Sequence, residues 1–408
     1  MAPSLADHWA LDPSIDFLNH GSYGACPRVV LAAQRAWQDR MEAEPVQFLG
    51  RDLEGYLAEA RTVLGDFIGA DPEDLAFVSN ATTGVNTVLG SVRFAPGDEL
   101  LTSDHEYNAV LNAIRTAAAR DGARVVVARI PFPIRDPGEV VEAVVGATTP
   151  RTRLAVFSHV TSPTALVFPV AELVRELDRQ GVDTLLDGAH APGMVPLDLT
   201  AIGAAYATGN AHKWICAPKG AAYLHVRRDR RERVRPLVIS HGANDRRTDR
   251  TRFRAEFDWT GTADPTAPLT IPTAIDVVGG LRPDGWPGLM AANHALAIEA
   301  GAILWDALEI EPPAPADMLG AMAAVPLPPG LPEDLELRLV GDHRIEVPVT
   351  SWPVDAALDA GEAPRARLLR VSAQAYNHRG QYERLASVLR DMRGAAVQSA
   401  SGRNASAE

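Results

Sequence analysis

An α/β fold, in which a large domain built on a mostly parallel sheet is followed by a smaller α+β C-terminal domain, is predicted by three observations. From about residue 55 to 225, short apolar runs alternate with stretches of helical period. Beyond Trp259-Thr-Gly-Thr-Ala-Asp-Pro265 that texture changes. The composition, 46% hydrophobic and 22% charged over 408 residues, describes an ordinary globular chain with ample core.

The strand candidates of the first region are Leu75-Ala-Phe-Val78, Val125-Val-Val127, Leu154-Ala-Val-Phe157, Thr184-Leu-Leu186 and Ala221-Ala-Tyr-Leu224. Between them, residues 54–67, 109–119 and 170–179 carry apolar side chains three or four apart, as a helix with one buried face does. Such alternation argues for crossover units on a parallel sheet, where functional residues gather at strand ends. In the second region a helical stretch, 291–308, leads through the Pro-rich residues 311–315. Leu335-Glu-Leu-Arg-Leu339, Arg344-Ile-Glu-Val347, Leu368-Leu-Arg-Val371 and a helix over 381–392 follow. The division expected is an N-terminal arm (1–24), a large domain (25–268), a small domain (269–394) and a disordered tail rich in Ala, Ser and Gly (395–408). No internal repeat is visible.

Composition narrows the partners. A net charge of -13 opposes general binding to nucleic acid or to an anionic membrane surface, so a small molecule is the expected partner. Cys26 and Cys216 offer neither a disulfide framework nor a metal-ligand spacing, which suits a reducing compartment and no metal site. The first residues lack a basic segment followed by an apolar one, and no run reaches the roughly 18 apolar residues of a membrane helix. A cytoplasmic location is expected.

The positive charge is distributed unevenly by type. Of 39 lysines and arginines only two are lysines, and both lie in His212-Lys213-Trp214-Ile215-Cys216-Ala217-Pro218-Lys219-Gly220. Arginine stays charged, whereas a lysine amine can lose its proton and attack a carbonyl carbon. Lys219, beside Gly220 in a turn, reads as a solvated charge. In Phe77-Val78-Ser79-Asn80-Ala81-Thr82-Thr83-Gly84 a strand turns through small and hydroxylic residues into a helix, an arrangement that caps the helix or cradles an anion. Leu185-Leu186-Asp187-Gly188-Ala189-His190 ends an apolar strand with a carboxylate that caps the following turn or pairs with a buried cation. Ala207-Thr208-Gly209-Asn210-Ala211-His212-Lys213 ends another strand beside the lysine, with Asn210 and His212 able to donate to phosphate.

These residues, with Asn19-His20-Gly21-Ser22-Tyr23-Gly24, residues 43–48, Asp104-His105-Glu106-Tyr107, Trp259-Thr260-Gly261-Thr262, Arg370-Val371-Ser372 and Tyr376-Asn377, resemble class V of the pyridoxal phosphate enzymes. The chain is similar to its isopenicillin N epimerase-like group over nearly its whole length except the tail. The resemblance implies fold type I and pyridoxal 5'-phosphate as cofactor. Lys213 then matches the lysine that holds the cofactor covalently, Asp187 the partner of the pyridinium nitrogen, and His190 the residue at the phenolic oxygen. Ala81, Thr82, Asn210 and His212 match the phosphate cup. Thr262 matches a residue that completes the cup from a neighbouring subunit, which implies a homodimer with shared sites. Tyr107 matches the ring stacked on the pyridine, with His105 as fallback. Arg370 matches the fork for the substrate α-carboxylate, a bidentate task, and Tyr23 is a candidate at the substrate.

The chain also departs from that class. No cysteine follows Cys216, so the persulfide chemistry of cysteine desulfurases is not expected, and Cys216 reads as a packed thiol. Thr161-Ser162 stands where some relatives place Ser-Asn. The implied chemistry runs at the Cα of an amino-acid substrate through an external aldimine and a carbanion, with epimerisation as the leading outcome. A carbon-sulfur lyase is the main alternative, and an aminotransferase or decarboxylating enzyme a further one. A non-enzymatic anion-binding module would leave Asp187 and Lys213 unexplained, and no Gly-x-Gly-x-x-Gly motif supports a dinucleotide dehydrogenase.

Overall fold

The computed structural model describes residues 5–359 and 361–404. Among them, twelve strands form three sheets. They are β1 (Asp16–Phe17), β2 (Leu75–Val78), β3 (Glu99–Ser103), β4 (Arg124–Ala128), β5 (Thr152–Ser158), β6 (Asp183–Gly188), β7 (Tyr206–Asn210), β8 (Ala222–Val226), β9 (Met322–Pro326), β10 (Ile345–Glu346), β11 (Val349–Trp352) and β12 (Ala366–Ser372).

The large domain is layered on a seven-stranded sheet of order β2-β8-β7-β6-β5-β3-β4. The β7-β6-β5-β3-β4 run is parallel, while β8 is antiparallel to both neighbours. Every residue of β3, β7 and β8 is buried, as expected of a sheet covered on both faces. The helix Val170–Arg179 shows why these segments fold as they do. Its buried side chains, Val170, Leu173, Val174 and Leu177, recur at the three- and four-residue spacing of one helical face. The other expected helices appear as Leu53–Ile68, Asn108–Asp121 and Gly285–Leu308.

The smaller C-terminal domain holds the antiparallel sheet β11-β12-β9. The segment Leu335-Glu-Leu-Arg-Leu339, whose alternation would also suit a strand, is the helix Leu335–His343. Leu335 and Leu339 are buried four residues apart while Leu337 is 71% exposed. The arm at the N-terminus crosses to this domain, pairing β1 in parallel with β10. One hydrophobic core runs continuously through both layers, from Leu18 through Leu186 to Leu389. The last helix, Arg379–Asn404, continues past Ala395, where the composition suggested a disordered tail. Alanine at 395 and 396 favours helix continuation; residues 405–408 lie outside the described residues.

Candidate active site

Parallel strands deliver their carboxyl ends to one edge of a sheet, and there the chain opens a cavity of about 390 Å³. β2 delivers Ala81 and Thr82, β3 delivers Tyr107, β5 delivers Ser158, β6 delivers Asp187 and His190, and β7 delivers Asn210, His212 and Lys213. Arg370 enters from β12, and Ser22 and Tyr23 come from the arm.

Lys213 sits in the loop joining β7 to β8. Cys216 closes the turn by donating its N–H to the Lys213 carbonyl at 3.0 Å, in a left-handed conformation at φ 62°. Such a backbone costs a non-glycine residue roughly 1–2 kcal/mol, here inside a fully buried setting. The arm holds the same segment from the other side. Gly24, at φ 69°, lies so close that a Cβ would stand 2.2 Å from the His212 carbonyl oxygen. His20, fully buried, spans 3.0 Å from Nε2 to the Lys213 carbonyl.

The Lys213 amine lies 3.1 Å from His190 Nε2. Burial, and then the Arg370 charge, lower its pKa to about 7, with Asp187 pulling the other way. Burial and the neighbouring cations hold His190 well below its ordinary value, so its ring is neutral at neutral pH. Asp187 accepts the Ala189 N–H at Oδ1, 2.9 Å away. Burial raises its proton affinity against that bond and against Lys213. No protein donor among the described residues reaches its Oδ2.

At the other end of the cavity, Asn80 caps the helix Ala81–Ser91 through Thr83 N–H, and Asn210 Oδ1 accepts the Ala81 N–H at 2.8 Å. The Ala81 amide is therefore engaged with Asn210, while Ala81 itself lines the cavity. Thr82 and the Asn210 amide group remain at the cavity. His212 Nδ1 faces the Ala221 carbonyl at 3.1 Å and so carries the proton, because a carbonyl only accepts. Arg370 is buried, with Nη1 donating to the Ser162 carbonyl and hydroxyl at 2.7 and 3.0 Å and Nη2 to Ser22 Oγ at 3.1 Å.

The remaining expectations separate cleanly. Tyr107, 45% exposed, lines the cavity. His105 does not, being fully buried between Thr164 Oγ1 and the Ile130 carbonyl. Lys219 is exposed, as a solvated charge would be, and its ammonium also donates to Gly24 O at 2.9 Å beside the same cavity. Thr262 is exposed and lies outside this cavity. Tyr23 is at the rim, 76% exposed.

Residues that the sequence reading left unassigned complete the site. Glu106 is fully buried, with Oε1 accepting from Ser158 Oγ at 2.5 Å and Tyr107 N–H at 2.8 Å, and Oε2 unpartnered. Burial first, then Asp187, raise its pKa. Ser22, Ser158 and Ser162 gave no signal beyond their place in the Gly-Ser-Tyr-Gly turn, at a strand end and after Thr161.

The donor set fits pyridoxal phosphate. A carboxylate with one open oxygen suits a protonated ring nitrogen, Thr82, Asn210 and His212 suit a phosphate, and Lys213 supplies an amine that loses its proton near neutrality. The aminotransferase class-V model matches residues 17–263. Isopenicillin N epimerase of Amycolatopsis lactamdurans is 39% identical over 398 residues, 94% of this chain and 96% of that protein. Probable L-cysteine desulfhydrase, chloroplastic, of Arabidopsis thaliana is 32% identical over 401 residues, 92% of this chain and 82% of that protein. A solved structure of a C-DES mutant with glycine covalently linked to its PLP cofactor superposes with a TM-score of 0.78. That match covers 96% of this chain and 100% of the other at 20% identity, a likeness of fold.

Proposed function

The chain belongs to the aminotransferase class-V family, whose cofactor is pyridoxal 5'-phosphate, and from that premise we propose that it removes and returns the proton at the Cα of an amino acid, an epimerase-like activity. The observation that carries the reading is the convergence of three groups on one cavity. They are the readily deprotonated amine of Lys213, the open carboxylate of Asp187, and a pre-formed arginine fork at Arg370.

When bound, pyridoxal phosphate supplies an aldehyde for the amine and a ring that spreads negative charge from Cα. Asp187 would keep the ring nitrogen protonated, and Thr82, Asn210 and His212 would hold the phosphate. His190 would face the phenolic oxygen and Tyr107 the ring. Arg370, already held by Ser162 and Ser22, would orient the substrate carboxylate with little loss of side-chain freedom. Inversion needs a second proton carrier on the opposite face, and the rim phenol of Tyr23 is our candidate.

The carbon-sulfur lyase remains as a second reading because of the likeness to L-cysteine desulfhydrase. Neither Cys26 nor Cys216 lines the cavity, and burial pushes the Cys216 thiol far up, so elimination rather than a persulfide relay would be its form. Incubation with candidate L- and D-amino acids in deuterated water separates the two. Inverted, Cα-deuterated product without keto acid supports the epimerase, and stoichiometric keto acid and ammonia without inversion replaces it with the lyase.

The same reading includes a homodimer. Thr262 lies away from its own chain's cavity and exposed, as a residue serving a neighbour's phosphate would, and Leu237, Val238 and Ile239 are exposed apolar neighbours in sequence. No described helix is long and apolar enough to cross a membrane, and two unpaired cysteines suit a reducing, cytoplasmic setting. The division into 1–24, 25–268 and 269–394 is kept as our proposal for the domain limits.

A further inference from the structure

We propose that Trp214 is a positioning residue that fixes the tautomer of His190, so that His190 presents an N–H, and not a lone pair, to the Lys213 amine and later to the oxygen that replaces it. The inference rests on the reading of Lys213 and His190 as cofactor residues, but its geometry lies within the chain. Trp214 Nε1 stands 3.4 Å from His190 Nδ1, and Lys213 Nζ stands 3.1 Å from His190 Nε2. An indole nitrogen has one hydrogen and cannot accept. His190 Nδ1 must therefore be the bare nitrogen, and in a neutral ring the hydrogen falls to Nε2. The opposite tautomer would bring two N–H groups face to face at the indole.

The consequence reaches Lys213. A nitrogen that carries hydrogen asks its neighbour to accept, and an amine accepts only when it has lost its charge. His190 thus selects the nucleophilic form of Lys213 in the loop where it is needed. When the amine leaves that position, the same N–H is free for an anionic oxygen, such as the phenolic oxygen of a pyridine ring.

Trp214 is built to hold this geometry. The residue is buried, its ring centroid lies 4.8 Å from that of His20, and a Cβ on Gly193 would stand 2.7 Å from its carbonyl carbon. His20 has its own tautomer fixed by the same logic. Its Nε2 donates to the Lys213 carbonyl at 3.0 Å, a shorter contact than the 3.3 Å to the Gln374 amide nitrogen, which leaves Nδ1 to accept from the Tyr376 hydroxyl at 2.8 Å. The arm and Trp214 therefore hold the Lys213 segment by backbone and side chain together.

The test is long-range proton-nitrogen NMR on full-length protein labelled with ¹⁵N-histidine, recorded with the cofactor removed and restored. His190 signals are identified by their loss in His190→Gln. The expected wild-type spectrum shows His190 in a single Nε2–H form in both states, and Trp214→Phe converts it to a mixture. An Nδ1–H form in the wild type overturns the proposal, as does a Trp214→Phe spectrum with an unchanged single tautomer. Should Trp214→Phe not fold, the wild-type spectrum alone decides. Because the cofactor-free measurement needs no turnover, a failed epimerase or lyase reading would leave this result intact.

Discussion

Ser158 stands opposite Asp187 in the register of β5 and β6, and its hydroxyl donates 2.5 Å to Glu106, so two buried carboxyl groups share one serine-lined corner. Two like charges so placed cannot both ionise cheaply. Glu106 is the one that keeps its proton, because the Lys213 charge favours the Asp187 anion, whereas the Asp187 charge acts against an anion at Glu106.

Glu106 therefore makes stability fall with pH. The unfolded chain releases this proton near 4.5, and the folded chain holds it to a higher pH. Between those values the folded state binds more protons, so stability declines as pH rises through the window. Glu106→Gln, shaped like the neutral acid, should flatten that decline. In urea melts, the variant should gain on the wild type between about pH 5 and about pH 8. A gain on lowering the pH instead would assign the proton wrongly.

Asp187→Asn should retain the fold and lose the charge opposite the ring nitrogen. Turnover should fall by about 10²–10³-fold, the scale for one electrostatic stabiliser of a transition state. Near-normal turnover would remove Asp187 from the role.

Arg370→Ala should act on substrate binding. Its charged hydrogen bonds to a carboxylate are worth about 1.5–3 kcal/mol, so KM should rise by roughly 10–150-fold with a smaller change in kcat. Arg370→Lys should not restore binding, because an ammonium cannot reproduce the fork. Equal loss in kcat and kcat/KM would point to a different role.

Borohydride reduction followed by peptide mass mapping should place the cofactor on Lys213. Lys219→Ala should keep the label and Lys213→Ala should lose it. The reverse outcome would move the reactive amine to Lys219, which borders the same cavity.

Thr262 is tested by mixing. Lys213→Ala and Thr262→Asp, each inactive alone, should recover part of the activity when combined, through hybrid dimers carrying one intact site. A fully active monomer at assay concentration would refute the shared site.

Chemical type explains what was legible in the sequence. That Lys213 and Asp187 meet at one cavity was readable because each lies at or just past the end of a buried strand. Among the strands that escaped notice are β3, whose Glu99, Thr102 and Ser103 hide two leucines, and β9, whose two central alanines carry little β signal. The supporting residues were not readable. Glu106 meets Ser158 across 52 residues of chain and Arg370 meets Ser162 across 208, and only the strand order creates those pairs. The bond from the Ala81 amide to Asn210, across 129 residues of chain, is of the same kind.

The single strand that runs against its sheet has a kinetic consequence. Because β8 returns antiparallel to β7, from Asn210↔Ala222 to Tyr206↔Val226, the reactive lysine sits at the tip of a hairpin. Both arms of that hairpin are close in the chain. Closing so short a loop sacrifices far less chain entropy than the long crossovers that bring Asp187 and Arg370 into place. The Lys213 segment can thus assemble locally, while the groups that make its amine useful arrive only with the completed topology. A partly folded chain would carry the amine without its neighbours, which postpones reactivity until the sheet is closed.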